Sequence, residues 1–181
     1  LLLKWDKETL IKGLNYSSPL LFLLTNTRSL SPERAEIRIR EICKNLKGVM
    51  KEIGLKKEEI IYVSRGDSTL RGHAVLEPEV LNDELGPFDA TFHVPAFFEG
   101  GRITINGIHF LNDLPVHKTI YAKDKIFGYS TSNLADWLSE KSKSKINAGD
   151  VSNISIEVLE QAFNNEKEMK NLIKYLNGLL D

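Results

Sequence analysis

Leu20-Leu21-Phe22-Leu23-Leu24-Thr25-Asn26-Thr27-Arg28-Ser29-Leu30-Ser31-Pro32-Glu33 is the stretch on which the fold turns. Its first five residues form a continuous apolar run, the pattern of a strand buried on both faces. The polar residues Thr25 to Arg28 end that run. Ser31-Pro32-Glu33 then opens a helix, because a serine hydroxyl accepts a backbone N–H, proline needs no donor at the first position and glutamate favours the positive end of the helix dipole. Ala35, Ile39, Ile42, Cys43, Leu46, Met50 and Ile53 follow at helical spacing, and Gly54 is the stop. A strand, a polar turn and a capped helix in that order make the repeating element of an α/β fold.

The neighbouring segments extend the pattern. Asp6 caps a short helix carrying Leu10, Ile11 and Leu14. Ile60 to Val63 reads as a second strand and Ala90 to Val94 as a third, ended by Pro95. Between them a helix through Val80, Leu81 and Leu85 is started or kinked by Pro78 and stopped by Gly86. Ile103-Thr104-Ile105, Asn106-Gly107 and Ile108-His109-Phe110 alternate around an Asn-Gly pair, the strongest short hairpin signal. Ser130 to Asn133 offers caps for a helix bearing Leu134, Trp137 and Leu138, and an amphipathic helix runs from about Ile156 to Leu180. Strands separated by helices imply parallel pairing with right-handed crossovers. The expected fold is therefore α/β, three-layer α/β/α, with a mainly parallel sheet and an inserted β-hairpin. Ligands of such sheets bind beyond the carboxyl ends of the strands.

Composition bounds the function. The 181 residues are 41% hydrophobic and 27% charged, which excludes disorder and a disulfide scaffold. A net charge of -1 supplies no global field for nucleic acid or an anionic membrane. No apolar run approaches the roughly 18 residues of a spanning helix. Cys43 is the single cysteine, and no charged-then-apolar signal peptide opens the chain, so a reducing cytoplasm is expected. Leu1-Leu2-Leu3-Lys4-Trp5 without an initiator methionine implies a start further upstream. His73, His93, His109 and His117 lack the helical spacing of a zinc site, so no metal ligand set is expected.

The arginines are more informative. Of seven, Arg34, Arg38 and Arg40 lie on the long helix, where a solvated face is the simplest reading. Arg28, Arg65, Arg71 and Arg102 each lie in a turn after an expected strand. A guanidinium grips a carboxylate or phosphate bidentately as lysine cannot, so the arrangement suggests a small anion. For Arg65 a structural ion pair is the preferred reading. Asp67-Ser68-Thr69-Leu70-Arg71-Gly72 packs a carboxylate, two hydroxyls and a guanidinium into six residues, a set suited to a polyhydroxylated acid. An Asx or Ser/Thr turn would explain the same hydroxyls locally.

Ser64-Arg65-Gly66-Asp67-Ser68-Thr69-Leu70-Arg71-Gly72-His73 resembles the signature of the four-carbon acid sugar kinases, in their N-terminal sugar-binding domain. Thr25-Asn26-Thr27-Arg28-Ser29, the block from Pro95-Ala96-Phe97 through Gly100-Gly101-Arg102-Ile103-Thr104 with Gly107 and His109, and His117 agree in order, over roughly Leu1 to Lys145. The resemblance implies that residues 1–181 are the sugar-acid-binding part of an ATP-dependent kinase of tetronates. The family's first strand with its Asp-Asp motif would precede Leu1, and a C-terminal nucleotide domain of the same protein would bind most of the ATP and Mg²⁺. On this reading Arg28 and Arg71 meet the substrate carboxylate, Asp67 and Ser68 its hydroxyls, Arg102 is a secondary contact, and Asp67 assists deprotonation as the catalytic residue. The fragment alone would be inactive, and a homo-oligomer is compatible with it. The alternative is a stand-alone or truncated sugar-acid-binding module without catalysis. A hydrolase is disfavoured because no Gly-x-Ser-x-Gly elbow occurs.

Overall fold

The computed structural model describes residues 1–179. The chain divides into two units, Leu1–Gly66 with Gly72–Phe88, and Asp67–Arg71 with the described residues from Asp89 onward.

In the first unit, α1 (Lys7–Leu14), α2 (Pro32–Ile53) and α3 (Leu76–Leu85) surround one core. The expected caps form: the Asp6 side chain accepts from the Thr9 N–H, Ser31 from that of Arg34, and Gly54 ends α2 at φ 73°. Leu10, Ile39, Cys43, Leu46, Val49, Met50, Val80 and Leu85 make the buried cluster, with Leu2, Leu23, Ile60 and Tyr62 packed against it. Cys43 is thus a core thiol, and burial pushes its pKa up to about 11. On the outer surface Arg40 of α2 pairs with Glu36 and with Asp83 and Glu84 of α3. Such half-exposed pairs add little stability. Arg38 is more than a solvated residue, since its guanidinium donates to the Thr25 carbonyl at 3.0 Å.

The sheet corrects the sequence-based expectation. The chain is mixed α and β, but the expected mainly parallel, three-layer arrangement is not what forms. The sheet has three antiparallel strands, β1 (Arg102–Ile105), β2 (Ile108–Leu111) and β3 (Leu114–Pro115), in that order. Residues 20–24, 60–63 and 90–94 form no ladder, and the first of them carries a bridge at Leu23. What remains of parallel pairing is the bridge of Leu2 to Leu23, where the Leu2 N–H donates to Phe22 at 2.7 Å and Leu24 donates to Leu2 at 2.9 Å. The physical reason lies in the side chains. Leu23, Ile60 and Tyr62 face the core, whereas Phe22, Ile61 and Val63 are 50%, 91% and 76% exposed. An apolar run announces extended chain, but it does not name a hydrogen-bonding neighbour.

The hairpin itself forms as expected, in the second unit. Arg102 opposes Leu111 and Ile105 opposes Ile108. Asn106 and Gly107 turn at φ 49° and 75°, the positive values this turn needs. Asn133 caps α4 (Leu134–Lys141), accepting from Ala135 and Asp136. The single C-terminal helix is replaced by α5 (Ile156–Asn164) and α6 (Glu166–Asn177), broken where Asn165 is extended at φ -143° and its side chain caps the second helix. The expected end at Leu180 lies outside the described residues.

Because Leu10 is completely buried and Ile37 is 67% exposed, Leu10→Ala should lower unfolding free energy by about 2–5 kcal/mol. Ile37→Ala should change it by less than about 0.5 kcal/mol. Urea titration of the two variants checks the contrast.

Candidate functional site

The segment Asp67–Arg71 folds around its own first side chain. Asp67 Oδ1 accepts the Thr69 N–H at 3.0 Å, and the Leu70 N–H returns to the Asp67 carbonyl at 3.0 Å. The expected Asx turn is therefore present. Leu70 adopts a left-handed φ of 62°, a strain of roughly 1–2 kcal/mol for a residue with a Cβ. Burial of its side chain offsets that strain.

Arg71 closes the turn. Its Nε and Nη2 donate to the same Asp67 oxygen, Oδ2, at 2.8 and 2.7 Å, and Nε also reaches the Thr69 hydroxyl at 3.0 Å. Nη1 faces Asp124 Oδ2 at 3.8 Å, and the guanidinium lies over the Tyr121 ring, 4.8 Å from its centroid. Asp124 is itself fixed, its Oδ1 accepting the N–H groups of Ile126 and Phe127 at 2.9 Å each. Burial pushes the Asp67 carboxyl up, but the Thr69 N–H and hydroxyl and the Arg71 charge outweigh it and hold the group below its ordinary value of 3.8. The Ser68 hydroxyl has no hydrogen-bond partner among the described residues, while both carbonyls that follow Asp67 are held.

Those two carbonyls are gripped by buried side chains from later in the chain. His109 of β2, with no exposed surface, meets the Ser68 carbonyl through Nε2 at 2.8 Å, and Tyr129 donates its hydroxyl to the Thr69 carbonyl at 2.8 Å. A carbonyl only accepts, so Nε2 of His109 carries the proton and Nδ1 accepts from the Thr104 hydroxyl at 2.9 Å. Burial, then the nearby Arg102 charge, lowers the His109 pKa, against the bond to Ser68, which raises it. The ring stays neutral. Burial likewise pushes the Tyr129 phenol up, so it remains a donor.

Arg102 begins β1 in the same unit. Its backbone exchanges two bonds with Phe97 at 2.9 Å each, and its guanidinium lies over the Phe97 ring, 5.3 Å from the centroid. A side chain at Gly100 would overlap the Arg102 guanidinium and the Phe97 ring, and one at Gly101, where φ is 69°, would strike Asn112. The Gly-Gly-Arg order thus follows from packing. The Arg102 Nε is buried and has no hydrogen-bond partner.

Arg28 belongs to the first unit, exposed on the short 3-10 turn Thr27–Ser29. Glu77 ties that turn down, accepting the hydroxyls of Thr27 and Ser64 at 2.6 Å each, and His73 Nε2 donates to the carbonyls of Thr27 and Leu30, both at 3.1 Å. Arg65 corrects its expectation, being exposed and without an ion pair among the described residues. Of the candidates, then, Asp67 and Arg71 are in direct contact, Ser68 sits between them, Arg102 shares their unit and Arg28 does not. His117 holds Ser132, its Nδ1 2.7 Å from the hydroxyl. Tyr121, Asp124 and Tyr129 escaped the sequence reading because they lie some 50–60 residues downstream, in a stretch whose lysines, Lys123 and Lys125, read as solvated surface. His109 carried one signal, its place in the alternation of the hairpin.

Two outcomes follow from this clamp. Tyr129→Phe deletes one hydroxyl and leaves the buried Thr69 carbonyl unpaired, which should cost about 1–3 kcal/mol in urea unfolding. A depressed folded pKa at Asp67 means the pair stabilises the fold above pH 3.8 and loses that effect as pH falls through the folded value. The stability gap between wild type and Asp67→Asn, measured at pH 7, 4 and 3, should accordingly narrow toward acid.

The family described as "Sugar-binding N-terminal domain" matches residues 3–176. A D-erythronate kinase of Heliobacterium modesticaldum (strain ATCC 51547 / Ice1) is 29% identical over 124 residues, covering 68% of this chain and 26% of that protein. The chain thus spans about a quarter of the relative's length. With the match running through nearly every described element, the chain belongs to the sugar-binding N-terminal domain family of the four-carbon acid sugar kinases.

Proposed function

We propose that this chain holds the substrate for an ATP-dependent kinase of four-carbon sugar acids, with D-erythronate as the leading candidate. The observation that carries the reading is the Asp67–Arg71 fork, a half-buried carboxylate held at 2.7 and 2.8 Å beside the unbonded hydroxyl of Ser68. A fixed acceptor next to a rotatable donor and acceptor is what adjacent hydroxyls of a sugar acid require. Asp67 is ionised at neutral pH. It accepts the hydrogen bond of the substrate hydroxyl, aims an oxygen lone pair at the incoming phosphoryl group and assists in removing the proton. Its lowered pKa makes it an orienting acceptor first and a base second.

The acid's own carboxylate needs a cation. Arg71 and Arg102 offer one on the second unit. ATP, with its Mg²⁺, binds mainly on the C-terminal nucleotide domain of the full enzyme. No residue here is assigned to the metal. No helix among the described residues is long and apolar enough to cross a membrane.

Calorimetry with D-erythronate and a thermal-shift series test the reading, since a ligand bound only by the native state raises apparent stability. Erythronate should raise the melting temperature of the chain, and ATP alone should not. Asp67→Asn should weaken erythronate binding by about tenfold or more, the order expected for loss of a charged hydrogen-bond acceptor. Equal affinity in wild type and variant would overturn the role given to Asp67.

A further inference from the structure

We infer that Lys141, the last residue of α4, is a positioning residue for the substrate: it locks the segment that carries Asp124 and Tyr129, and through Tyr129 it holds the acid loop in its binding shape. This rests on the sugar-acid reading above and adds to it a residue that touches neither the acid loop nor the hairpin.

The acid loop is gripped at two neighbouring carbonyls, that of Ser68 by His109 and that of Thr69 by Tyr129. The two grips work together only if His109 and Tyr129 keep a fixed spacing. α4 is the element that joins them. At its start the Leu134 N–H donates to the Gly107 carbonyl at 2.8 Å and Ile108 bridges to Asn133, which fastens the helix to the hairpin carrying His109. The His109 N–H itself donates to the Ser132 carbonyl at 2.8 Å. Trp137 and Leu138 bury the middle of α4, and its 8 residues span about 12 Å. The far end meets the Tyr129 segment.

There, two consecutive residues hold four. Glu140 Oε2 accepts the Ser130 N–H at 3.0 Å and the Ser130 hydroxyl at 2.5 Å. Lys141 Nζ donates to the Gly128 carbonyl, reaches that of Phe127 at 3.4 Å, lies 3.7 Å from Glu140 Oε1 and sits 5.8 Å from the centroid of the Tyr129 ring. An ammonium carries three donors, and three oxygens surround this one. A lysine in the last turn of a helix ordinarily complements the dipole of that helix. Lys141 instead crosses to carbonyls 14 and 13 residues earlier in the chain. Its side chain is only 20% exposed, so those carbonyls lose a shielded partner when it is removed.

The segment fastened in this way carries two contacts to the acid loop. Asp124 caps the N–H groups of Ile126 and Phe127 through Oδ1 and faces Arg71 through Oδ2. The Tyr129 N–H donates to the Ala122 carbonyl at 3.1 Å, closing the segment on itself, and a side chain at Gly128 would strike the carbonyls of Asp124 and Ala122. The fold of this short loop thus sets where the Tyr129 hydroxyl lies, and Lys141 is the side chain that ties the loop to the rod from which the His109 grip is also hung.

The test follows D-erythronate binding by calorimetry on the whole chain, with the carbonyl ¹³C spectrum as a readout that needs no ligand. Lys141→Met keeps the stem and removes the donors, and should weaken erythronate binding by about tenfold, the order of a lost charged hydrogen bond. Lys141→Arg should restore most of the affinity. In a Tyr129→Phe background, Lys141→Met should cost less than about twofold more, because the two residues act in series. In the spectrum, Lys141→Met should move the Thr69 carbonyl in the direction that Tyr129→Phe moves it, and leave the Ser68 carbonyl, held by His109, in place. Should Lys141→Met fail to fold, Lys141→Gln carries the same comparisons. Wild-type affinity in the variant, an equal loss with and without the Tyr129 hydroxyl, or an unmoved Thr69 carbonyl would each overturn the positioning role and leave the sugar-acid reading standing. If wild type binds no erythronate at millimolar concentration, that reading fails and the role of Lys141 falls with it.

Discussion

The ion pair between Asp67 and Arg71 is the constraint on which the second unit is organised. Two donors converge on one carboxylate oxygen while the other oxygen receives a backbone N–H, so the five residues from Asp67 to Arg71 have little freedom left. Such a turn would be worth little if it moved as a body. His109 and Tyr129 prevent that by holding the carbonyls of Ser68 and Thr69 from within the protein. Both side chains are buried, and both remain uncharged donors because burial disfavours their ionised forms. The polar loop is thus tied to the hairpin and the Tyr129 segment by hydrogen bonds in a low-dielectric setting, where such bonds are strongest.

Local chemistry was legible in the sequence wherever one residue determines its neighbours. Ser31-Pro32-Glu33 opening a helix, Gly54 closing it, Asn106-Gly107 reversing a hairpin and Asn133 capping α4 all depend on contacts within four residues. The buried face of α2 followed from a spacing of 3.6 residues for the same reason. Pairing between distant segments was not legible. The β-branched and aromatic residues of Ile60 to Val63 favour extended chain, but nothing in four residues says which strand, if any, will accept their N–H groups. The Asn165 break was hidden because the apolar stripe continues on both sides of it, so periodicity reads through a capped interruption.

The site divided along the same line. Asp67, Ser68 and Arg71 stood out because their chemistry is concentrated in six residues. What the sequence withheld was the pairing state of each guanidinium. Arg71 and Arg102 look alike as letters, each in a polar turn, yet one is ion-paired on two sides and the other has a buried donor with no partner. The residues responsible, Asp124 and Tyr121 for one and Phe97 with Gly100 for the other, work through space.

The chain passes from one unit to the other at Gly66, back at Arg71 and across again at Phe88. Only five residues make the middle excursion, and they are the ones that carry the acid loop. A gene broken between Phe88 and Asp89 would therefore pass on His109 and Tyr129 with nothing to hold, and would leave Asp67 and Arg71 on the other fragment without their anchors. Recombination can move this loop together with its anchors only by carrying Gly72–Phe88 of the first unit along, because that arm lies between Arg71 and His109 in the chain.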